Sequence, residues 1–163
     1  VDVILDLMIH DLDIVSALVA APLVEVRAVG VPIITQSVDM ASARLVFKDG
    51  TVAEIKAGRA SLEPSRVIRI ITPKRYISVD CRTRNVKSVI KTDNKSSSGW
   101  PEVAVEPITV QEGDALALQD HHFFECIAKG TNPSCDGRAG LRALQFAEEV
   151  KKAIKQHLDI ATG

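Results

Sequence analysis

The sequence is poor in aromatic side chains and has no excess of charge of either sign. Phenylalanine, tyrosine and tryptophan together make up 4% of the 163 residues, which leaves too few rings to stack successive nucleic-acid bases. The 20 lysines and arginines nearly balance the 21 aspartates and glutamates, so the formal net charge is -1. A balanced chain lacks the basic surface that attracts phosphate backbones or anionic lipids. We therefore expect neither nucleic acid nor a membrane as a partner.

Signals for disulfides, membrane insertion and secretion are also lacking. The three cysteines are an odd number without a Cys-x-x-Cys pair, which argues against a disulfide framework. The most apolar segment, residues 3–24, contains four ionisable side chains, and burying these in lipid would cost more than its leucines return. No basic region precedes that segment, as it would in a signal peptide. We expect a cytoplasmic location.

A dinucleotide phosphate motif is missing as well. No Gly-x-Gly-x-x-Gly follows a predicted strand, so no cofactor-binding residues are predicted in this chain. The chain starts at Val1 inside an apolar, patterned segment, whereas natural termini are usually polar. We interpret the chain as part of a longer protein whose upstream half is absent, and we expect it to be inactive by itself.

What the sequence does contain is a clear succession of periodicities. Apolar residues spaced three and four apart predict helices over 4–21, 114–129 and 140–158, with Pro22 and Gly130 ending the first two. Alternating or β-branched segments predict six strands, and Asp49-Gly50 predicts a type I′ hairpin between two of them. The predicted strands cover residues 24–34, 41–47, 51–59, 67–71, 76–81 and 85–91. Residues 92–101 are predicted to form a polar loop.

This order predicts an α+β fold. Consecutive strands joined by short turns indicate an open, mostly antiparallel sheet of about six strands, with helices packed on one face. Several strands carry apolar side chains on both faces, as at Ile70 beside Ile71. An apolar second face favours a partner subunit that covers it. The sequence therefore predicts a homo-oligomer formed through the sheet face.

Asp6 and His10 form the sharpest chemical pattern. They are four residues apart, which places both side chains on the same side of a helical turn. A carboxylate beside an imidazole fixes its tautomer and stabilises its protonated form, as a general base near neutral pH requires. The alternative is structural: Asp6 caps the helix and His10 is a half-buried residue with no chemical role.

The run from Asp6 to Asp13 resembles the central motif of the Gfo/Idh/MocA oxidoreductases, the family of glucose–fructose oxidoreductase and inositol dehydrogenase. The resemblance extends over nearly the whole chain and includes the strands around the Asp49-Gly50 hairpin and the run Cys135–Leu144. The string from Leu5 to Asp11 resembles a subgroup that acts on sugar nucleotides, including UDP-N-acetylglucosamine 3-dehydrogenases. Met8 departs from the pattern, because many members have glycine there, and its side chain is expected to narrow the site or shift the turn.

The resemblance implies that residues 1–163 are a C-terminal substrate-binding and oligomerisation domain, whose N-terminal dinucleotide-binding partner domain is missing. It implies NAD or NADP as cofactor, bound mainly by that missing domain, and a sugar or sugar nucleotide as substrate. His10 would exchange the hydroxyl proton while hydride moves to or from the nicotinamide, and Asp6 would orient His10 or the substrate. The family's catalytic lysine lies in a Glu-Lys-Pro motif, which does not occur here.

Two arginines are candidate substrate-binding residues. Arg59 and Arg66 flank a short loop after a predicted strand, and guanidinium groups bind carboxylates and phosphates well. The alternative is that both are solvated charges at strand ends. No metal site is expected, because His10, Asp11 and Asp13 point in different directions on a helix.

Two other functions stay open at this point. The same fold serves equally well as a binding or assembly module without turnover, since fold does not fix function. A related enzyme that reduces a biliverdin-like or diol substrate would keep the cofactor and change the pocket. The leading hypothesis is a nicotinamide-dependent sugar dehydrogenase that oxidises or reduces a secondary alcohol.

Overall fold

A computed structural model describes residues 1–110 and 113–162, and within these the chain forms two compact units. Unit 1 comprises residues 1–62 and the chain from Phe123 onward, and unit 2 comprises Glu63–His122. The predicted α+β class with antiparallel strands is confirmed. The expected single sheet of about six strands is instead a three-stranded and a four-stranded sheet. The exposed segment between them contains Pro64, which has no N–H to extend a ladder.

Unit 1 begins with a helix of two parts. A five-residue π-helix, Ile4–Met8, continues directly into α1, Ile9–Leu18. The Leu5 N–H donates to Asp2 Oδ1 at 3.0 Å, so Asp2 caps the first turn. The helix was predicted to reach Ala21, but it ends at Leu18 because Val19 takes an extended backbone conformation.

The sheet of unit 1 has the antiparallel order β1-β2-β3. Its strands are β1 (Leu23–Val31), β2 (Met40–Phe47) and β3 (Val52–Gly58). The predicted alternation of β2 is confirmed, since its buried residues are Ala41, Ala43, Leu45 and Phe47. The predicted hairpin at Asp49-Gly50 is also present, but only Gly50 has a positive φ, +85°. The turn is therefore not type I′, which needs two such residues.

Two further helices complete the chain, and the first of them begins in unit 2 and ends in unit 1. They are α2 (Ala115–Lys129) and α3 (Gly137–Thr162). Gly130 ends α2 as predicted, with φ +64° and the Thr131 N–H donating to the Cys126 carbonyl at 3.0 Å. In the described residues, no helix is long and apolar enough to cross a membrane.

The core of unit 1 lies between its sheet, its first helix and α3. Two leucines of α3, Leu141 and Leu144, are exposed. A stripe made largely of small side chains is buried instead, and this allows α3 to lie close to β1 and α1. The buried residues of α3 are Ala139, Ala143, Ala147, Val150 and Ile154.

Unit 2 contains a four-stranded antiparallel sheet in chain order. Its strands are β4 (Val67–Ile71), β5 (Arg75–Asp80), β6 (Asn85–Lys95) and β7 (Pro101–Glu106). The loop predicted over 92–101 is confirmed for residues 96–100 but wrong for 92–95, because β6 continues through polar residues to Lys95, which pairs with Pro101 of β7. Polar side chains are compatible with a strand that has solvent beside it, and Thr92 Oγ1 donates to the Glu102 carbonyl at 3.1 Å.

Candidate functional site

Asp6 lies in the π-helical turn at the start of unit 1. A π-turn adds one residue to the hydrogen-bonded ring, so the Ile9 N–H donates to the Ile4 carbonyl instead of to that of Leu5. Single π-helical turns within helices are frequent at functional sites. The Asp6 side chain is half exposed, with a relative accessibility of 50%, and is therefore accessible to a ligand.

The carboxylate of Asp6 is held by Arg59, which follows the last residue of β3. The guanidinium donates to Asp6 Oδ2 from Nη2 at 2.9 Å and from Nε at 3.3 Å. Nη2 also donates to the Val1 carbonyl at 2.7 Å. Asp6 and Arg59 were both predicted site residues, and the fold brings them together from positions 53 residues apart in the chain.

A fully buried carboxylate lies on the other side of Arg59. Arg59 Nη1 is 3.6 Å from Asp39 Oδ1, and the Arg59 backbone N–H donates to the Asp39 carbonyl at 2.9 Å. Asp39 has 0% relative accessibility and directly precedes β2. One arginine therefore bridges a buried and an exposed carboxylate.

Asp39 is fixed by the loop that precedes it. Its Oδ2 accepts the backbone N–H groups of Ile33, Ile34 and Thr35 at 2.7–2.9 Å, and its Oδ1 accepts the Thr35 hydroxyl at 2.9 Å. These hydrogen bonds, first those from the Thr35 and Ile33 amides, hold the pKa of Asp39 well below its ordinary value. Asp39 is thus a permanent buried anion at neutral pH.

His10 lies in the first turn of α1, and its side chain is exposed. Among the described residues, no side-chain hydrogen bond joins it to Asp6, whose Oδ2 is occupied by Arg59. The predicted Asp6–His10 contact is therefore not formed in this structure. The His10 imidazole is exposed and is therefore accessible to solvent.

Met8, which departs from the expected glycine, does not point toward solvent. Its side chain is fully buried in the core of unit 1 together with Ile4 and Leu12. The expected narrowing of the site by this side chain is thus not seen, and the turn that contains Met8 is π-helical.

Arg66, the other predicted substrate-binding residue, belongs to unit 2. Its side chain is exposed, and its backbone carbonyl accepts the Cys81 N–H at 2.9 Å. The described residues contain no group of three or more histidine, cysteine, aspartate or glutamate side chains arranged to hold a metal ion.

Sequence reasoning missed Asp39. An aspartate between Val38 and Met40, two residues before an alternating strand, has no partner visible in the sequence. The signal that was available is the polar segment Thr35–Ser37 just before it, because aspartate often accepts nearby backbone amides in such turns.

The chain was compared with protein-family models, with curated proteins and with solved structures. No protein-family model matches the sequence. Over 158 residues the chain is 40% identical to a UDP-N-acetylglucosamine 3-dehydrogenase of Acidithiobacillus ferrooxidans, an alignment that covers 97% of this chain and 50% of that relative. The chain thus spans about half the length of the curated relative it matches.

Solved structures agree. One similar structure is that of the UDP-N-acetylglucosamine 3-dehydrogenase GnnA from Acidithiobacillus ferrooxidans. It matches with a TM-score of 0.84 at 38% identity, and the match covers 96% of this chain and 48% of the GnnA chain. A levoglucosan dehydrogenase in complex with NADH matches with a TM-score of 0.76 at 16% identity, over 93% of this chain and 47% of that one. The second likeness concerns the fold alone.

Proposed function

We propose that this chain, a homologue of the C-terminal half of a Gfo/Idh/MocA-type oxidoreductase, forms the substrate side of a nicotinamide-dependent sugar-nucleotide dehydrogenase. The observation that carries the proposal is 40% identity over 97% of the chain to a UDP-N-acetylglucosamine 3-dehydrogenase. The reaction is the reversible oxidation of a secondary alcohol, with the 3-hydroxyl of UDP-N-acetylglucosamine as the first substrate to test. The enzyme is proposed to work in the cytoplasm.

His10 is the proposed general base. As the alcohol carbon becomes a carbonyl, its hydroxyl proton has to leave, and an exposed imidazole with no partner in the described structure can accept it. Arg59 donates only to Oδ2 of Asp6, whose side chain is 50% exposed, so Oδ1 is left to accept other hydrogen bonds. The carboxylate can thus accept a hydrogen bond from a substrate hydroxyl or from a reoriented His10.

The cofactor belongs mainly outside this chain. The residues here contain no glycine-rich phosphate loop, so they do not fit the pyrophosphate of a dinucleotide. NAD or NADP is proposed to be held by the part of the protein that corresponds to the uncovered half of the relative, where it takes or gives the hydride. Arg66 remains the proposed contact for an anionic group of the substrate.

The experiment uses the full-length protein that carries this chain. It is incubated with NAD or NADP and a panel of sugars and sugar nucleotides, and reduced nicotinamide is followed by absorbance. We expect turnover with UDP-N-acetylglucosamine, and a loss of about 10²–10⁴-fold in kcat for His10→Ala. His157→Ala, which removes another exposed histidine from a helix of unit 1, is the matched control and should keep full activity.

Two results of this experiment would contradict parts of the proposal. Turnover that survives His10→Ala contradicts the assignment of the base. Absence of turnover with every substrate, while cofactor still binds, contradicts the enzyme proposal and favours a binding or assembly module.

A homo-oligomer formed through the sheet of unit 2 is the second part of the proposal. Side chains of directly paired residues share a face, and the pairs Ile71–Tyr76, Tyr76–Val89 and Val89–Val105 place these four residues on one face. Ile71 and Val105 are 75% and 78% exposed. A second copy of the chain would cover this face.

Light scattering tests that contact. We expect at least a dimeric mass for the chain and a monomeric mass for Val105→Lys, because an ammonium group cannot be buried unpaired in the contact. Val24→Lys, at an exposed valine of β1, should leave the mass unchanged. A monomeric mass for the unsubstituted protein over a wide concentration range would contradict the proposal.

A further inference from the structure

Most of the guanidinium group of Arg59 is already engaged within the chain, because three of its five N–H groups donate hydrogen bonds and Nη1 forms an ion pair at 3.6 Å. Nε and Nη2 donate to Asp6, Nη2 donates in addition to the Val1 carbonyl, and Nη1 lies against Asp39. The side chain is only 25% exposed. An arginine that binds phosphate normally offers its planar fork to solvent before the ligand arrives.

Charge balance leads to the same conclusion. Arg59 lies between two carboxylates, so its positive charge is already matched by Asp6 and Asp39. A phosphate that approached Arg59 would meet the partly exposed Asp6 carboxylate beside it, and like charges at such distances repel. The surface beside Asp6 and Arg59 therefore suits a neutral, hydroxyl-bearing part of a ligand better than a diphosphate.

Asp39 makes this arrangement rigid. Its carboxylate accepts three backbone amides and one hydroxyl, and its backbone carbonyl accepts the Arg59 N–H. The loop over 33–35 and the end of β3 are thereby joined to one buried group. A buried anion whose hydrogen bonds are satisfied keeps one position. It therefore fixes the position of Arg59, and Arg59 in turn fixes that of Asp6.

We propose that Asp39 and Arg59 are positioning residues that hold Asp6 with its Oδ1 directed to the substrate, and that Arg59 is not an anchor for a substrate anion. This replaces the substrate-binding role predicted for Arg59, and it rests on the proposed function for the part played by Asp6. A positioning pair acts on the reacting geometry, so its loss lowers kcat and leaves the affinity for substrate nearly intact.

Steady-state kinetics of the full-length protein separates the two roles. For Arg59→Ala we expect kcat to fall by about 10–100-fold while KM for the sugar nucleotide changes by less than about threefold. Arg59→Lys keeps a charge between the two carboxylates and should restore part of the lost kcat. Arg44→Ala removes an arginine that pairs with Glu54 on the same sheet, and it should change neither constant.

A second measurement needs no turnover. In the 15N-labelled full-length protein, the Arg59 Nε–H is expected to exchange with solvent several-fold faster in Asp39→Asn than in the unsubstituted protein. Asp49→Asn is the matched control, because Asp49 also accepts a backbone amide, that of Thr51, but has no contact with Arg59. Thermal unfolding of each variant verifies that it is folded at the temperature used.

The outcomes separate this inference from the function itself. A large rise in KM with kcat retained in Arg59→Ala would show that Arg59 anchors the substrate and would overturn the proposal. Unchanged Arg59 exchange in a folded Asp39→Asn variant would overturn the anchoring role of Asp39, whatever the protein turns over. Absence of turnover in the unsubstituted protein counts against the proposed function alone, and the exchange experiment then decides whether Asp39 holds Arg59.

Discussion

The two units of this chain bury their apolar residues very differently. Unit 1 has a continuous core of fully or nearly fully buried side chains, among them Leu12, Leu45, Phe47 and Val150. In the described residues of unit 2, the only buried side chain is that of Ser88, whose hydroxyl donates to Glu106 at 3.0 Å. Ile71, Val103 and Val105 of its sheet are more than two thirds exposed.

This difference shows which unit forms a hydrophobic core from its own residues. Burial of apolar surface is the main favourable term in folding, and unit 1 gains it within the chain. The sheet of unit 2 relies on ladder hydrogen bonds and on turns such as the one in which Asp80 accepts the Arg82 and Thr83 amides. Its apolar faces would gain their burial from a partner, in line with the proposed oligomer.

The largest effect is expected for a matched pair of isoleucines. Ile55 in β3 is 6% exposed, whereas Ile71 in β4 is 75% exposed. We expect Ile55→Ala to lower the free energy of unfolding by about 2–5 kcal/mol, because it leaves a cavity in a packed core. Ile71→Ala should change it by less than about 0.5 kcal/mol in the monomer.

Urea denaturation at a fixed protein concentration gives both values. A loss at Ile71 as large as that at Ile55, measured where the protein is monomeric, would contradict the view that unit 2 has no core of its own.

A smaller effect, dependent on pH, is expected for two aspartates. Backbone hydrogen bonds lower the pKa of Asp39 in unit 1 and of Asp80 in unit 2. A lowered pKa contributes stability above the unfolded-state pKa of about 4, and this contribution is lost as the pH falls from there toward the folded-state value. The advantage of the unsubstituted chain over Asp39→Asn should therefore be full at pH 7 and shrink below about pH 4.

Asp80→Asn should show the same direction with a smaller amplitude, because Asp80 is only half-buried and accepts fewer backbone amides. Thermal unfolding between neutral and acidic pH measures both. An advantage over Asp39→Asn that grows as the pH falls would reverse the sign and contradict the assignment.

The smallest effects concern one turn in each unit. Gly50 in unit 1 and Arg84 in unit 2 both have a positive φ, +85° and +56°, a conformation that favours glycine. Nothing lies within 4 Å of a Cβ added to Gly50, so Gly50→Ala should cost only its backbone strain, about 1 kcal/mol.

Arg84→Gly should raise stability by at most about 0.5 kcal/mol, because relief of strain is offset by chain entropy and by loss of the Arg84 hydrogen bond to the Gly113 carbonyl. Melting temperatures of the two variants measure these changes, and a stabilising Gly50→Ala would contradict this account of the turn.

Local patterns were sufficient for most elements of the fold. Three features were predicted from the sequence because each depends only on residues close to it in the chain. These features are the alternation over 41–47, the hairpin at Gly50 and the helix end at Gly130. The end of β6 and the strand β7 were missed together. The polar residues from Thr92 to Lys95 resemble a loop in the sequence, and only the pairing of β6 with residues 101–103 of β7 makes them part of a strand. The exposure of Leu141 and Leu144 was not predictable from the sequence, because periodicity identifies apolar residues but not the neighbour that covers them.

For the site, the sequence by itself determined which residue types stand near each other along the helix, Asp6 and His10, and the resemblance that they carry. Only the tertiary structure decided that the partner of Asp6 is Arg59 and that Asp39 stands behind it. That contact joins positions 53 residues apart, and the polar segment before Asp39 does not reveal that Arg59 lies against the Asp39 carboxylate. Long-range charge pairing depends on chain topology, whereas spacing within a helix depends on its geometry alone.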